Sequence, residues 1–163
     1  MRLGLMLEAG LIDYKYFIPW CDEVILREDI PPDWILELAT EEYQPDAVRT
    51  VHAYAYSPPF ITFTGTTDFY VACLFLKYRI GQISWATFLR EAGGYTDAYQ
   101  DSVDCEYFFY MLNEIEDAEF DRNLEGVQAD EVASRFIHAL DEANAVYHFF
   151  LDYFRKRKNA KAE

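Results

Sequence analysis

Residues 129–158 read ADEVASRFIHALDEANAVYHFFLDYFRKRK. Within this stretch Val132, Phe136, Leu140, Ala143, Tyr147, Phe150 and Phe154 step by 4, 4, 3, 4, 3 and 4. A helix of 3.6 residues per turn returns to one face at those steps. Ser134, Asp141, Glu142 and Asp152 fall on the opposite face. The spacing predicts a single long helix from about Ala129 to Lys158. The run Arg155-Lys156-Arg157-Lys158 then sits at its C-terminal end, where the helix dipole favours cations.

Upstream, no segment shows strand alternation bounded by hairpin turns, and the same helical logic extends toward the N-terminus. Leu3 to Leu11 reads as a short helix ending near Gly10. Asp13 caps a helix from Tyr14 to about Glu28, with Pro19 expected to kink it or mark its start. Pro32 is placed to begin a helix carrying Trp34, Ile35 and Leu38. Pro45-Asp46 opens another through Val48, Val51 and Tyr54, which Ser57-Pro58-Pro59 ends. Ile61-Thr62-Phe63-Thr64 alternates and is open to a short extended reading. Thr67 or Asp68 caps Phe69 to Ile80, which is apolar nearly all round and expected at the centre; Gly81 stops it. Ser84 caps a short helix, Trp85 to Ala92, which Gly93-Gly94 is expected to terminate. Asp101 or Asp104 starts a helix through Tyr107, Phe108, Met111, Leu112 and Ile115. The expected fold is all-α: a single-domain irregular helical bundle over residues 1–154, of about seven or eight helices, with a basic C-terminal tail at 155–163.

Composition agrees. The chain has 163 residues, 52% hydrophobic and 18% aromatic, enough for a sizeable core and incompatible with a disordered chain. Cys21, Cys73 and Cys105 are odd in number, widely spaced and set among apolar neighbours, so they read as small hydrophobes in a reducing cytoplasm. Glu8 interrupts the apolar opening, which argues against a signal peptide. The longest uncharged run, Thr50 to Thr67, contains Ser57-Pro58-Pro59 and does not read as a membrane span. A cytoplasmic protein is expected.

Charge carries the functional reading. Lys+Arg is 14 against Asp+Glu 29, a net −15. Nucleic acid binding rests on phosphate neutralisation by Lys and Arg, so neither nucleic acid nor an anionic membrane is an expected partner. The same charge attracts basic proteins. Residues 97–131 hold 12 acids and one base, Arg122, for a net −11. A second run, Glu28, Asp29, Asp33, Glu37, Glu41, Glu42 and Asp46, contains no base between 28 and 46. Clustering of like charge costs stability by self-repulsion, whereas a merely solubilising surface intersperses both signs. Tyr95, Tyr99, Tyr107, Phe109 and Tyr110 lie beside the first run. Aromatic anchors with steering acids suit a protein interface.

Catalytic signatures are absent from the sequence. His52, His138 and His148 form no metal-binding pair of their own, and there is no Cys-x-x-Cys, phosphate loop, nucleophile elbow or Glu-x-x-His. No catalytic residue, metal or cofactor is expected. Asp121, Asn123 and Glu125 with Gly126 imitate the start of a calcium loop, but Val132 occupies the twelfth place and Gln128 the eighth. A helix–helix turn capped by Asp130 is the preferred reading there.

In size, in its lack of catalytic motifs and in the acidic-aromatic segment 97–131, the layout resembles small acidic bacterial immunity proteins, which bind and block a cognate toxin, often a basic nuclease. The opening Leu11-Ile12-Asp13-Tyr14 through Trp20, Asp22, Ile25, Pro31-Pro32 and Trp34-Ile35-x-Glu37-Leu38 is also similar to that of small bacterial proteins. The resemblance implies a non-enzymatic binding protein that occludes the active site of a basic toxin domain. The residues expected at that interface are Asp101, Asp104, Glu106, Tyr107, Glu114 and Asp117. A DNA-mimicking inhibitor is a variant of the same reading and needs carboxylates at phosphate-like spacing. Two readings of other classes stay open. A metal-assisted hydrolase needs a concave pocket with three or more carboxylates. A helical scaffold would oligomerise through the long C-terminal helix.

Overall fold

The computed structural model describes residues 1–60, 62–99 and 103–160. Among them every regular element is a helix: α1 (Arg2–Glu8), α2 (Tyr14–Arg27), α3 (Asp33–Leu38), α4 (Gln44–Ala55), α5 (Thr66–Arg79), α6 (Trp85–Ala98), α7 (Cys105–Asp117), α8 (Arg122–Arg135) and α9 (Ile137–Ala160). The chain forms two compact units, Met1–Thr64 with Asn144–Glu163, and Gly65–Ala143. None of these helices is long and apolar enough to cross a membrane.

In the first unit, Asp13 accepts the Lys15 amide at 2.9 Å and so caps α2, which runs on across Pro19. α3 begins one residue beyond Pro32, which takes the N-cap position. α1 ends in a Schellman turn, with the amides of Leu11 and Gly10 reaching the carbonyls of Met6 and Leu7, each at 3.0 Å, and Gly10 at φ 67°. Gln44 Nε2, at the start of α4, donates to the carbonyls of Leu7 and Ile12 at 2.7 and 2.9 Å. The Ile12 carbonyl lies beyond the helix end, and the Leu7 carbonyl already takes the Gly10 amide, so the Gln44 side chain satisfies the first, adds a second donor to the other and ties α4 to α1. The two helices approach so closely that a Cβ on Gly4 would overlap the His52 ring. Thr50 Oγ1 donates to Glu37 Oε1 at 3.0 Å and links α4 to α3. The end of α9 packs by aromatics. Trp20 meets Phe150 edge-on at 5.6 Å and Tyr16 stacks on Phe154 at 4.7 Å.

In the second unit, α5 buries Phe69, Val71, Ala72, Cys73, Leu74 and Phe75, as its all-round apolar sequence predicts. It starts at Thr66 behind Gly65 (φ 63°), not at a Thr67 or Asp68 cap. Phe75, Phe88, Phe108 and Phe136 form a chain of ring contacts 5.5–6.0 Å apart. Gln128 joins three helices: Trp85 Nε1 donates to its Oε1 at 2.8 Å, and its Nε2 donates to the Met111 carbonyl at 3.1 Å. A buried polar side chain is tolerated there because both ends are satisfied.

Several expectations are corrected. α6 passes through Gly93-Gly94 to Ala98 instead of stopping. Gly93 is there for space: a Cβ on it would stand 2.9 Å from the Phe109 ring of α7. The long helix expected from Ala129 is two, interrupted at Phe136 (φ −102°, ψ 21°). The turn before α8 is capped by Asp121, whose Oδ1 accepts the amides of Asn123 and Leu124 at 2.9 Å, and Asp130 lies inside the helix. Because residues 122–135 are helical, no calcium loop forms there. Thr62 to Gly65 is loop, not strand; Ile61 lies outside the described residues. The bases 155–158 form the last turns of α9, the C-terminal helix end at which the spacing places them.

Candidate protein-binding surface

Most of the acid surplus belongs to one unit. Gly65–Ala143 carries 16 acids and 5 bases, a net −11, while the other unit carries 13 and 9, a net −4. The acidic run at 28–46 is answered locally at three of its seven acids, Glu28, Asp33 and Asp46. Arg27 pairs with Glu28 at 3.1 Å and Arg49 with Asp46 at 3.0 Å. Asp33 and Asp46 lie in the first turns of α3 and α4, where the dipole favours them. By contrast, none of the described acids between 97 and 131 makes a salt bridge to a described residue.

The six expected interface residues fall into distinct settings. Asp101 lies outside the described residues. Asp104 caps α7 through the Glu106 amide at 3.0 Å, and Glu106 occupies the first turn, so both have a structural role at a positive helix end. Asp104 and Asp97 each lie 3.5 Å from the Cys105 thiol. Desolvation and those two hydrogen bonds push the thiol pKa up, which disfavours a reactive thiolate. Tyr107 is half-buried under the Arg135 guanidinium at 4.3 Å, and its hydroxyl is buried without a hydrogen-bond partner. Burial, then the Glu131 carboxylate, pushes its pKa up to about 12. It supports α8 and is not an exposed anchor.

Glu114 and Asp117 are different. With Glu116 they crowd the last turn of α7, which contains no base. Acids at a negative helix end are unfavourable. Glu114 is held by Gln128 Nε2 at 3.3 Å. The chain then turns through Glu119 (φ 51°) and Phe120 (φ 61°). The amides of Phe120 and Glu119 reach the carbonyls of Ile115 and Glu116 at 2.8 and 3.0 Å. This is the Schellman geometry that α1 and α5 build with Gly10 and Gly81, here carrying a glutamate. Asp121 follows as the cap of α8.

Two exposed aromatics stand beside these acids: Tyr110, which the sequence places among the flanking aromatics but not among the six expected interface residues, and Phe120, which it does not single out. Tyr110 is 65% exposed and Phe120 is 56% exposed. Tyr110 stands four residues after Glu106 and four before Glu114, on one stripe of α7, and the neighbouring Glu114 carboxylate raises the tyrosine pKa. That step of four was the available signal. Phe120 gave none, because its exposure follows from the turn geometry.

The surface is therefore centred on the end of α7 and the following turn: Tyr110, Glu114, Glu116, Asp117, Glu119, Phe120 and Asp121. Among the described residues no three Asp, Glu, His or Cys side chains converge as a metal-binding set. The cleft at Tyr78, Arg122, Glu125 and Gly126 holds one carboxylate, Glu125, which accepts the Tyr78 hydroxyl at 2.8 Å. The chain matches no family model, no curated protein and no solved structure.

Proposed function

We propose that the chain is a binding protein that neutralises a basic protein partner, an immunity protein that blocks a cognate bacterial toxin of nuclease type. One observation carries this reading. Glu114, Glu116, Asp117 and Glu119 are gathered at the negative end of α7 without a salt bridge to any described residue, around exposed Tyr110 and Phe120. Helix stability disfavours that placement, and an incoming cationic surface would relieve it. In the proposed action the acids steer the partner and then occupy the Lys and Arg groups that it uses on its phosphate substrate. Tyr110 and Phe120 supply the apolar contact.

The test is affinity capture from the source cells, followed by binding of the purified pair across salt concentrations. Asp117→Lys with Glu119→Lys is expected to slow association and weaken the complex, and Phe120→Ala to speed dissociation. A complex with affinity flat from low to high ionic strength, or indifferent to these changes, overturns the proposal.

A further inference from the structure

The first unit contains a local reversal of charge. A cleft of about 240 Å³ is lined by Tyr14, Lys15, Phe154, Arg157 and Lys158. Three of those five side chains are cations, in a chain of net −15. The helix dipole accounts for Arg157 and Lys158, which end α9. It does not account for Lys15, which stands in the first turn of α2, at the positive end. Asp13 answers that charge in part, 3.9 Å away. No salt bridge reaches Arg157 or Lys158 from the described residues. The cleft is thus a standing excess of positive charge built from two helix ends far apart in sequence.

Its apolar wall is fixed in orientation. Phe154 is stacked on Tyr16 with centroids 4.7 Å apart and planes 12° from parallel. Arg157 is half-buried, while Lys15 and Lys158 are exposed. A held ring beside three cationic donors matches a planar aromatic group that carries an anion: the ring stacks and the anion takes charge-assisted hydrogen bonds. The volume lies below the roughly 300–1,000 Å³ of sites for drug-sized ligands, so it suits one ring system and one phosphate.

We propose that this cleft binds a small aromatic phosphate of the size of a nucleoside monophosphate. The site shares no residue with the acidic surface on α7, and the proposal does not depend on it. The long-range field of a −15 chain repels anions, so saturable anion binding requires a local site of this kind.

The test is calorimetric titration of the full chain with AMP, with adenosine and inorganic phosphate as separate probes. AMP is expected to bind at one site, and each fragment about tenfold or more weaker, since each lacks half of the contacts. Lys15→Gln and Arg157→Gln are each expected to weaken AMP about tenfold. Arg90→Gln, an exposed change in the other unit, is expected to leave it unchanged. Lys15 is exposed, so its variant keeps the fold and the result interpretable. Three results overturn the proposal: no saturable AMP binding at millimolar concentration, inorganic phosphate binding as tightly as AMP, or AMP affinity unmoved by both Lys15→Gln and Arg157→Gln.

Discussion

Glu119 is where a single side chain works against its own backbone. The C′ position of a Schellman turn is left-handed, and Gly10 and Gly81 fill it in α1 and α5. A Cβ there costs of order 1 kcal/mol, only partly offset by the greater freedom that glycine loses on folding. Glu119→Gly is therefore expected to raise the unfolding free energy by about 0.5–1 kcal/mol in urea titration. An unchanged or lower midpoint would show that the turn is not strained. His52 gives a second test. Its Nε2 is buried without a hydrogen-bond partner, and the nearest carboxylate oxygen recorded, on Glu8, is 3.9 Å away. Burial lowers the His52 pKa from 6.5 and raises that of Glu8 from 4.5. As pH falls through 6.5 the unfolded chain takes up the histidine proton before the folded chain does, so His52 costs stability from there down to its folded value. Glu8 acts oppositely: its burial costs stability as pH rises above 4.5 toward its raised folded value. The stability difference between the native chain and His52→Gln is thus expected to shrink from pH 7.5 to 5.5. A constant difference across that range would contradict the burial of a neutral imidazole.

Adjacent glycines in α6 separate space from propensity. A Cβ on Gly93 meets the Phe109 ring at 2.9 Å, whereas one on Gly94 meets nothing within 4 Å. Gly94→Ala is expected to stabilise by about 0.5–1 kcal/mol through helix propensity, and Gly93→Ala to destabilise by about 1–2 kcal/mol through overpacking. Thermal unfolding reads both, and equal signs would reject the packing account. The same pair shows where sequence reading ends. Local chemistry was sufficient for the caps at Asp13 and Ser84, for narrowing the cap of α7 to Asp101 or Asp104, for the stops at Gly10 and Gly81, and for the buried faces of α5 and α9. It failed where a distant group decides. A Gly-Gly pair reads as a stop until Phe109 is known to need the room. No Gly, Pro or Asn marks Phe136, whose ring packs on Phe108 from another helix. Within the surface, Glu114 and Asp117 were legible as charge. The inward turn of Tyr107 toward Arg135 and the outward turn of Phe120 are tertiary outcomes.

Charge asymmetry links stability to the proposed activity. The unit Gly65–Ala143 holds −11 of the net −15, and its acids at 97–131 lack internal ion pairs among the described residues. Repulsion of that kind is long-ranged in dilute salt and screened in concentrated salt, the Debye length falling from about 30 Å at 0.01 M to about 3 Å at 1 M. The carboxylates at the end of α7 oppose the helix dipole as well, so removing their charge is favourable for the fold by about 0.3–1 kcal/mol each at low ionic strength. The triple change Glu116→Gln, Asp117→Asn and Glu119→Gln is therefore expected to stabilise the chain in 0.01 M salt, with the gain fading toward 1 M. Urea titrations at the two ionic strengths check this, and a gain independent of salt would mean that these acids do not repel. The same variant is expected to bind the captured partner more weakly, with a shallower dependence on salt. Stability and binding moving in opposite directions in one variant is the behaviour of charge retained for recognition against the interest of the fold. A variant that gains stability and keeps its full salt-dependent affinity would remove the end of α7 from the interface.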